Sequence, residues 1–357
     1  MPPLNPASLE AIHRLRTYVP PPTAYGDVPL SRRAAVLILL YADPHGELRV
    51  VITIRAKTLS SYAGEAALPG GRADSLAETP FQTARREAWE EIGLPDIEQP
   101  LPQPFRVEHL CELPANLAKT ELVVRPCVAL LHSFDEATGA QADPEISLIP
   151  KLDAREVAVV FTAPFQSFLR LSQTPGEDPG EWYRGSWNVW HNSNWRSMVS
   201  NFVFPFLSLL IVPKDEATRG GYDPCQGGNG LVPPFDERHM GEGMEGVGPG
   251  RLSDSTWFWL HQFFVQANDQ VVRPRRGAPR VPADGQKERY RVFGMTARII
   301  VDAARVAYAR EPEFEHNSHF GDEEMIAKLR RLGRLRGRRS PSDELTLETM
   351  EKAAKLS

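Results

Sequence analysis

Residues 70–94 read GGRADSLAETPFQTARREAWEEIGL, and within them Arg86-Glu87-Ala88-Trp89-Glu90-Glu91-Ile92-Gly93-Leu94 sets three carboxylates beside an arginine and ahead of a glycine. At about 100° per residue a helix gathers Glu87, Glu90 and Glu91 into one sector and lays Phe81, Ala84, Ala88 and Ile92 beside them as an apolar stripe. The stripe is expected to pack on a sheet while the acids look into a cleft. Thr79 and Pro80 suit a helix start, Gly93 suits its stop, and Leu68-Pro69-Gly70-Gly71 is a backbone-permissive loop. Like charges on one helical turn repel. Such a cluster is therefore either a solvated surface face or the oxygen-ligand set of a hard cation such as Mg²⁺, which keeps waters for phosphate oxygens.

Upstream, Ala34 to Tyr41 (AAVLILLY) reads as a buried strand, with Leu48 to Arg55 as its hairpin partner across Asp43 to Glu47. Downstream, Glu121 to Leu131 and Glu156 to Phe161 read as further strands, and Pro164 to Leu171 as a short helix. Strands before and after a central acidic helix permit an α/β chain. The composition, 41% hydrophobic and 24% charged, supports a sizeable core. A net charge of −5 gives no pull toward nucleic acid. No apolar run approaches the ~20 residues of a membrane span. Cys111, Cys127 and Cys225 are odd in number and lack metal-site spacing, so neither a disulfide framework nor a zinc site is expected, and a reducing compartment fits.

Gly71, Glu78 and Arg86 to Leu94 together resemble the Nudix box: Gly, spacer, Glu, seven residues, then Arg-Glu-Xaa-Xaa-Glu-Glu-Xaa-Gly-apolar. The spacer is one residue longer than usual, a feature similar to the coenzyme A diphosphatase branch. Thr53 to Glu65 (TIRAKTLSSYAGE), running into Leu68-Pro69-Gly70-Gly71, resembles that branch's coenzyme A signature, with Tyr62 where a histidine is frequent and Leu68 where a phenylalanine is frequent. The resemblance implies an α/β/α sandwich with a mixed sheet, and Mg²⁺ or Mn²⁺ held by Glu87, Glu90 and Glu91. It also implies Arg86 as the residue orienting the acids, and a substrate site including Arg55, Tyr62, Gly64, Gly70 and Gly71. Glu156 is implied as a further ligand or the base, against the plain alternative of a strand-edge glutamate in solvent. The implied reaction is cleavage of the diphosphate of coenzyme A to 3′,5′-ADP and 4′-phosphopantetheine. Two alternatives stay open: a diphosphatase acting on oxidised nucleoside triphosphates or ADP-ribose-like dinucleotides, and a non-catalytic Nudix scaffold.

An intracellular enzyme is expected, peroxisomal by the resemblance, with cytoplasm and mitochondrion open. Met1-Pro2-Pro3 and Glu10 do not resemble a secretory leader. Ala354-Lys355-Leu356 is similar to a peroxisomal tripeptide, displaced by Ser357 from the carboxylate that receptors read.

The expected organisation is an extension over 1–29, a Nudix domain over 30–198 resumed at 263–320, an insertion over 199–262, and a basic tail over 321–357. Gly294-Met295-Thr296-Ala297 resembles the end of coenzyme A-type domains and leads into a helix through Tyr308, with Ala297, Ile300, Val301, Ala304 and Ala307 at core spacing. The Trp182 to Trp195 segment either folds an aromatic hairpin or stacks an adenine. Glu313 to His319 (EFEHNSH) is expected at the surface, and Lys328 to Arg339 as a solvated basic segment, partly disordered or touching an anionic partner. Gly220 to Gly250 is too Gly-rich for regular structure. A hypothesis for 199–262 is in-frame translation of an unspliced intron: Val199-Ser200 can be encoded as GTAAGT, Ser253-Asp254 can contain CTGAC, and Gln262 can be CAG. Excision would join Met198 to Phe263 and close an aromatic hairpin, and an insertion that disrupts this hairpin would impair the isoform. Sequencing the mature transcript tests this, and the absence of a shorter form sinks it.

Overall fold

The computed structural model describes residues 4–356 except 60, 97–100, 136–137, 143, 145–151, 172–182, 190–195, 206–288 and 338–344. At its centre, the apolar run after Arg33 forms β1 (Arg33–Ala42), and β2 (Leu48–Arg55) returns antiparallel with Leu40 opposite Val50. Asp43 closes the turn between them by accepting the amides of His45 and Glu47 at 2.8 and 2.9 Å. On the other side of β1, β7 (Val123–His132) runs parallel, from Arg33 opposite Val123 to Tyr41 opposite Leu131. The remaining partners are antiparallel, so the sheet is mixed: β8 (Val157–Pro164) and β3 (Ala66–Ala67) on β2, β4 (Gly70–Arg72) on β1, and β5 (Arg106–Glu112) and β6 (Asn116–Leu117) on β7.

Strand alternation sends β1 side chains to two cores. Ala35, Leu37, Leu39 and Tyr41 meet α2 (Pro80–Ile92), whereas Ile38 and Leu40 join a core shared with α1 (Pro6–Thr17) and α3 (Gly294–Tyr308). Helices thus cover both faces, giving the expected α/β/α sandwich. The helix expected through Tyr308 ends there, and Ala297, Ile300, Val301, Ala304 and Ala307 are all fully buried. The segment after β8 forms a 3₁₀ turn, Phe165–Leu169, rather than a longer helix. The strand expected from Glu121 begins at Val123, because Glu121 occupies a turn at φ 56° with its carboxylate buried between Arg32 and Arg334.

A second, three-stranded antiparallel sheet consists of β9 (Tyr183–Val189), β10 (Arg196–Pro205) and β11 (Arg289–Phe293). β9 and β10 form the expected hairpin, and Tyr183, Phe202 and Phe314 pack at its base, with Tyr183 and Phe314 centroids 3.9 Å apart. The Trp182, Trp190, His191 and Trp195 positions, and hence adenine stacking, lie outside the described residues. β10 runs across the boundary expected at Val199, pairs Asn201 with Phe293, and buries Phe202 completely. The rest of the expected insertion from 206, and the strand-like Phe263-Phe264-Val265, lie outside the described residues.

In three segments, packing adds to or changes the reading from local composition. The 1–29 segment contains α1, started by the Asn5 side chain and docked on α3 through Ala11, Ile12 and Leu15. Where a solvated tail was expected, α4 (Glu323–Arg331) and α5 (Leu347–Ala354) bury Met325, Ile326, Leu329, Met350 and Ala353 against Tyr25, Val28 and Val123. The basic letters obscured that spacing: Met325, Ile326 and Leu329 fall on one helical stripe, and Lys328, Arg330 and Arg331 flank it. In Glu313 to His319 the surface expectation holds for Glu313, Glu315, Ser318 and His319, which are exposed, but Asn317 is buried and the His316 ring is enclosed 3.3 Å from Asp302.

Candidate functional site

Helix α2 begins with a reciprocal cap: Thr79 Oγ1 accepts the Gln82 amide at 3.2 Å, and Gln82 Oε1 accepts the Thr79 amide at 2.8 Å. Pro80 occupies the first turn, and Gly93 ends the helix at φ 68°. Ala84, Ala88 and Ile92 are buried, and Phe81 stacks on His109 at 4.1 Å. This stripe sets the helix rotation and turns the three glutamates toward the loop leading into β4.

That loop lies against β1: Leu37 donates its amide to the Pro69 carbonyl at 2.7 Å, and Gly70 and Gly71 stand opposite Val36 and Ala35. Gly70 has φ 151°, and a Cβ there would strike the Ala35 carbonyl; a Cβ on Gly71 would enter the Glu87 carboxylate. Glycine at both positions lets the acids sit on loop backbone. The Gly70 amide donates to Glu91 Oε2 at 3.1 Å.

Arg86 organises the exposed side of the cluster. Its Nε donates to Glu78 Oε1 at 2.9 Å, Nη1 donates to Glu87 Oε1 at 3.1 Å and Glu90 Oε1 at 3.4 Å, and Nη2 donates to the Arg72 carbonyl at 2.7 Å. Glu78 also accepts from Thr83 Oγ1 and the Asp74 amide. Burial pushes the Glu78 carboxyl up, but Arg86 and those two donors hold it below its ordinary value. Burial likewise opposes the charge of Arg86, which its carboxylate partners more than restore.

Deeper in, the balance reverses. Glu91 is 4% exposed, and burial raises its pKa to about 8; the Gly70 amide and Arg55 pull it down, while Glu87 and Glu156 add to the rise. Glu87 is raised by burial too, and Glu90 and Glu156 oppose the relief that Arg86 supplies. Glu156 reaches this cluster because its carbonyl accepts the Ala56 amide at 2.8 Å, which fastens the start of β8 to the end of β2. Arg55 ends β2, with its Nε buried and without a hydrogen-bond partner among the described residues. Its amide donates to the Glu65 carbonyl, and its own carbonyl accepts the Gly64 amide. Tyr62 begins that turn at φ 55°, half exposed.

The structure thus brings Arg86, Glu87, Glu90, Glu91, Gly70 and Gly71 together, with Glu156 and Arg55 near enough to act on the acids electrostatically. Tyr62 and Gly64 lie on the turn joined to Arg55. The donor set suits a hard cation in kind: all ligands are carboxylate oxygens, and their mutual repulsion leaves room for added positive charge. As the side chains stand, no group of three potential ligands surrounds a common point among the described residues. Arg86 engages Glu87 and Glu90, and Gly70 engages Glu91, so holding a cation requires those side chains to exchange partners. Glu78 was legible from box spacing. Glu65 had no separate signal, because its environment is set by Arg55 and by Arg291, which is remote in sequence.

The NUDIX domain family model matches residues 31–184. The chain is 34% identical over 169 residues to peroxisomal coenzyme A diphosphatase 1 of Saccharomyces cerevisiae, a match covering 45% of this chain and 49% of that protein. It is 35% identical over 151 residues to the mitochondrial Nudix hydrolase 15 of Arabidopsis thaliana, covering 42% and 46%. With an uncharacterized Nudix hydrolase, NudL, of Photorhabdus laumondii, identity is 33% over 153 residues, covering 43% and 68%. The chain spans about half the length of the first two relatives. From the domain match, the NudL match and the mixed-sheet sandwich around the glutamate helix, the chain belongs to the Nudix hydrolase family.

Proposed function

We propose that this chain is a divalent-metal-dependent diphosphatase that cleaves coenzyme A into 3′,5′-ADP and 4′-phosphopantetheine. The observation carrying this reading is the convergence of Glu87, Glu91 and Glu156 beside Gly70 and Gly71, with the Glu87 and Glu91 carboxyls raised chiefly by burial and further by their acidic neighbours. Glu87, Glu90 and Glu91 would hold Mg²⁺ or Mn²⁺. The chemistry supplied by such an ion is Lewis-acid stabilisation of charge on the diphosphate oxygens and acidification of a water.

The chain's own residues do the positioning. Arg86 fans Glu78, Glu87 and Glu90 around one guanidinium, and the Gly70 amide orients Glu91. Arg55, with an orphaned buried Nε, binds a diphosphate oxygen through a charge-assisted bond. Glu156 stands at the exposed rim, where its carboxylate either joins the ligands or takes the proton of the attacking water.

Coenzyme A as substrate is supported by the Thr53 to Glu65 signature and by similarity to a relative named a coenzyme A diphosphatase. That relative's name also carries the proposal of a peroxisomal location; tagged protein imaged against peroxisomal and mitochondrial markers tests it. No helix among the described residues is long and apolar enough to cross a membrane.

Purified protein incubated with coenzyme A, ADP-ribose and 8-oxo-dGTP, with and without Mg²⁺, tests the reaction. The expected result is Mg²⁺-dependent appearance of 3′,5′-ADP from coenzyme A. Turnover of 8-oxo-dGTP or ADP-ribose alone would replace the substrate. No turnover of any of the three in the presence of Mg²⁺ would leave a binding scaffold.

A further inference from the structure

Strand β11, outside the segment that matches the NUDIX domain model, packs beside β3. Just after β11, Thr296 Oγ1 donates to the Ala66 carbonyl at 3.1 Å. Ala66 pairs with Ile54 across β3 and β2, and the next residue of β2, Arg55, donates its amide to the Glu65 carbonyl at 2.9 Å. These links set β11 beside the Arg55 and Glu65 end of the site. Side chains alternate along a strand. Tyr290 stacks on Phe161 at 4.8 Å and Val292 is fully buried, both in the core. Arg291 and Phe293 therefore take the opposite face, where the guanidinium lies 4.7 Å from the Phe293 ring centroid. Arg291 and Arg55 both act on the half-buried Glu65, drawing its carboxyl back from the rise that burial causes. Both guanidiniums thus act on the same carboxylate at this end of the site, whereas the α2 side carries Glu87, Glu90 and Glu91.

We propose that Arg291, braced on the Phe293 ring, binds a phosphate of the nucleotide substrate together with Arg55, so that the C-terminal strand helps set substrate preference. The inference rests on the diphosphatase reading above. A guanidinium suits this role because its fork can meet two phosphate oxygens at once and its flat face packs on an aromatic ring. Glu65 is the anion against which the phosphate competes.

The test measures calorimetric binding of 3′,5′-ADP without turnover, together with coenzyme A hydrolysis, for the full chain and for Arg291→Ala, Arg291→Lys and Glu65→Gln. Arg291→Ala is expected to weaken 3′,5′-ADP binding and raise KM by about 10-fold, with kcat within about twofold and an unchanged thermal midpoint. Arg291→Lys should recover part of the affinity, and Glu65→Gln should tighten binding by about twofold or more. Unchanged affinity and KM in Arg291→Ala overturn the proposal. So does a joint loss of kcat and thermal midpoint with no rescue by lysine, which would mark Arg291 as a packing residue, or a wild-type chain that does not bind 3′,5′-ADP. If wild type binds 3′,5′-ADP but does not hydrolyse coenzyme A, the diphosphatase reading fails by itself, and the affinity series still decides the role of Arg291.

Discussion

Where α4 docks on the sheet edge, buried carboxylates meet guanidiniums: Asp322 takes Arg298, Glu121 takes Arg32 and Arg334, and Arg125 is shared by Glu112 and Glu323. On α2, Glu91 is buried as deeply as Asp322, yet no cation pairs with it among the described residues. Its direct partner is one backbone amide, and its acidic neighbours add to the cost of its charge. Both regions bury acids, but the docking region gives each a guanidinium partner, whereas on α2 Arg86 is spread over Glu78, Glu87 and Glu90 and does not reach Glu91. Residual repulsion is what a site for an external cation requires, whereas matched pairs fix one piece of chain on another.

The largest expected effect breaks a matched pair. Arg298→Ala leaves Asp322 buried with its main cation gone, and should cost about 3–5 kcal/mol of stability. A denaturant titration reads this as a lowered midpoint, and kcat per folded molecule should survive. At the unmatched site the pattern inverts. Glu91→Gln should lower Mg²⁺-dependent hydrolysis by roughly 10²–10³-fold without lowering the thermal midpoint in metal-free buffer, since it removes a charge that the fold holds at a cost. Full activity in Glu91→Gln would sink the site assignment, and an unmoved midpoint in Arg298→Ala would sink the contrast. Arg86→Ala should act more weakly, about 10–100-fold on metal affinity, because it orients acids that remain present; calorimetric Mn²⁺ binding measures the loss.

The same contrast explains what could be read from the sequence. Helix α2 was legible because its signals are local: the Thr79 cap, the Ala84, Ala88 and Ile92 stripe and the Gly93 stop lie within one element, and the stripe fixes where Glu87, Glu90 and Glu91 point. The central strands were legible for the same reason, being continuous apolar runs. The docked pieces were not. The partners that bury Asp322 and Glu323, namely Arg298, Arg125 and the amides of Ala115 and Leu117, come from remote segments, so a basic composition read as solvent exposure. Likewise, His316 and Asn317 looked like surface residues because Asp302 and Arg305, which enclose them, belong to another helix. No local signal marks Arg291, because its influence on Glu65 exists only after β11 is placed beside β3.

The smallest effect sharpens the comparison through pH. Glu91 has an ordinary value of 4.5 and a folded value of about 8, so its protonated form is favoured in the fold. Its contribution to stability is therefore greatest below pH 4.5, falls as pH rises through 8, and is fully lost above it. Glu87 is shifted in the same direction. His109 and His132, lowered from 6.5 chiefly by burial, act oppositely below pH 6.5 because the unfolded chain charges them more readily. Comparing wild type with Glu91→Gln, which share both histidines, isolates the carboxyl. In metal-free buffer the midpoint of wild type should fall relative to Glu91→Gln by about 3 °C or more between pH 5 and pH 8. Mg²⁺ should then raise the wild-type midpoint more at pH 8 than at pH 6, because the cation stabilises the ionised cluster and binding adds stability by mass action. Parallel curves for the two proteins, unmoved by Mg²⁺ at either pH, would mean that the buried acids of α2 are as well neutralised as those around α4, and the distinction between the two regions would be lost.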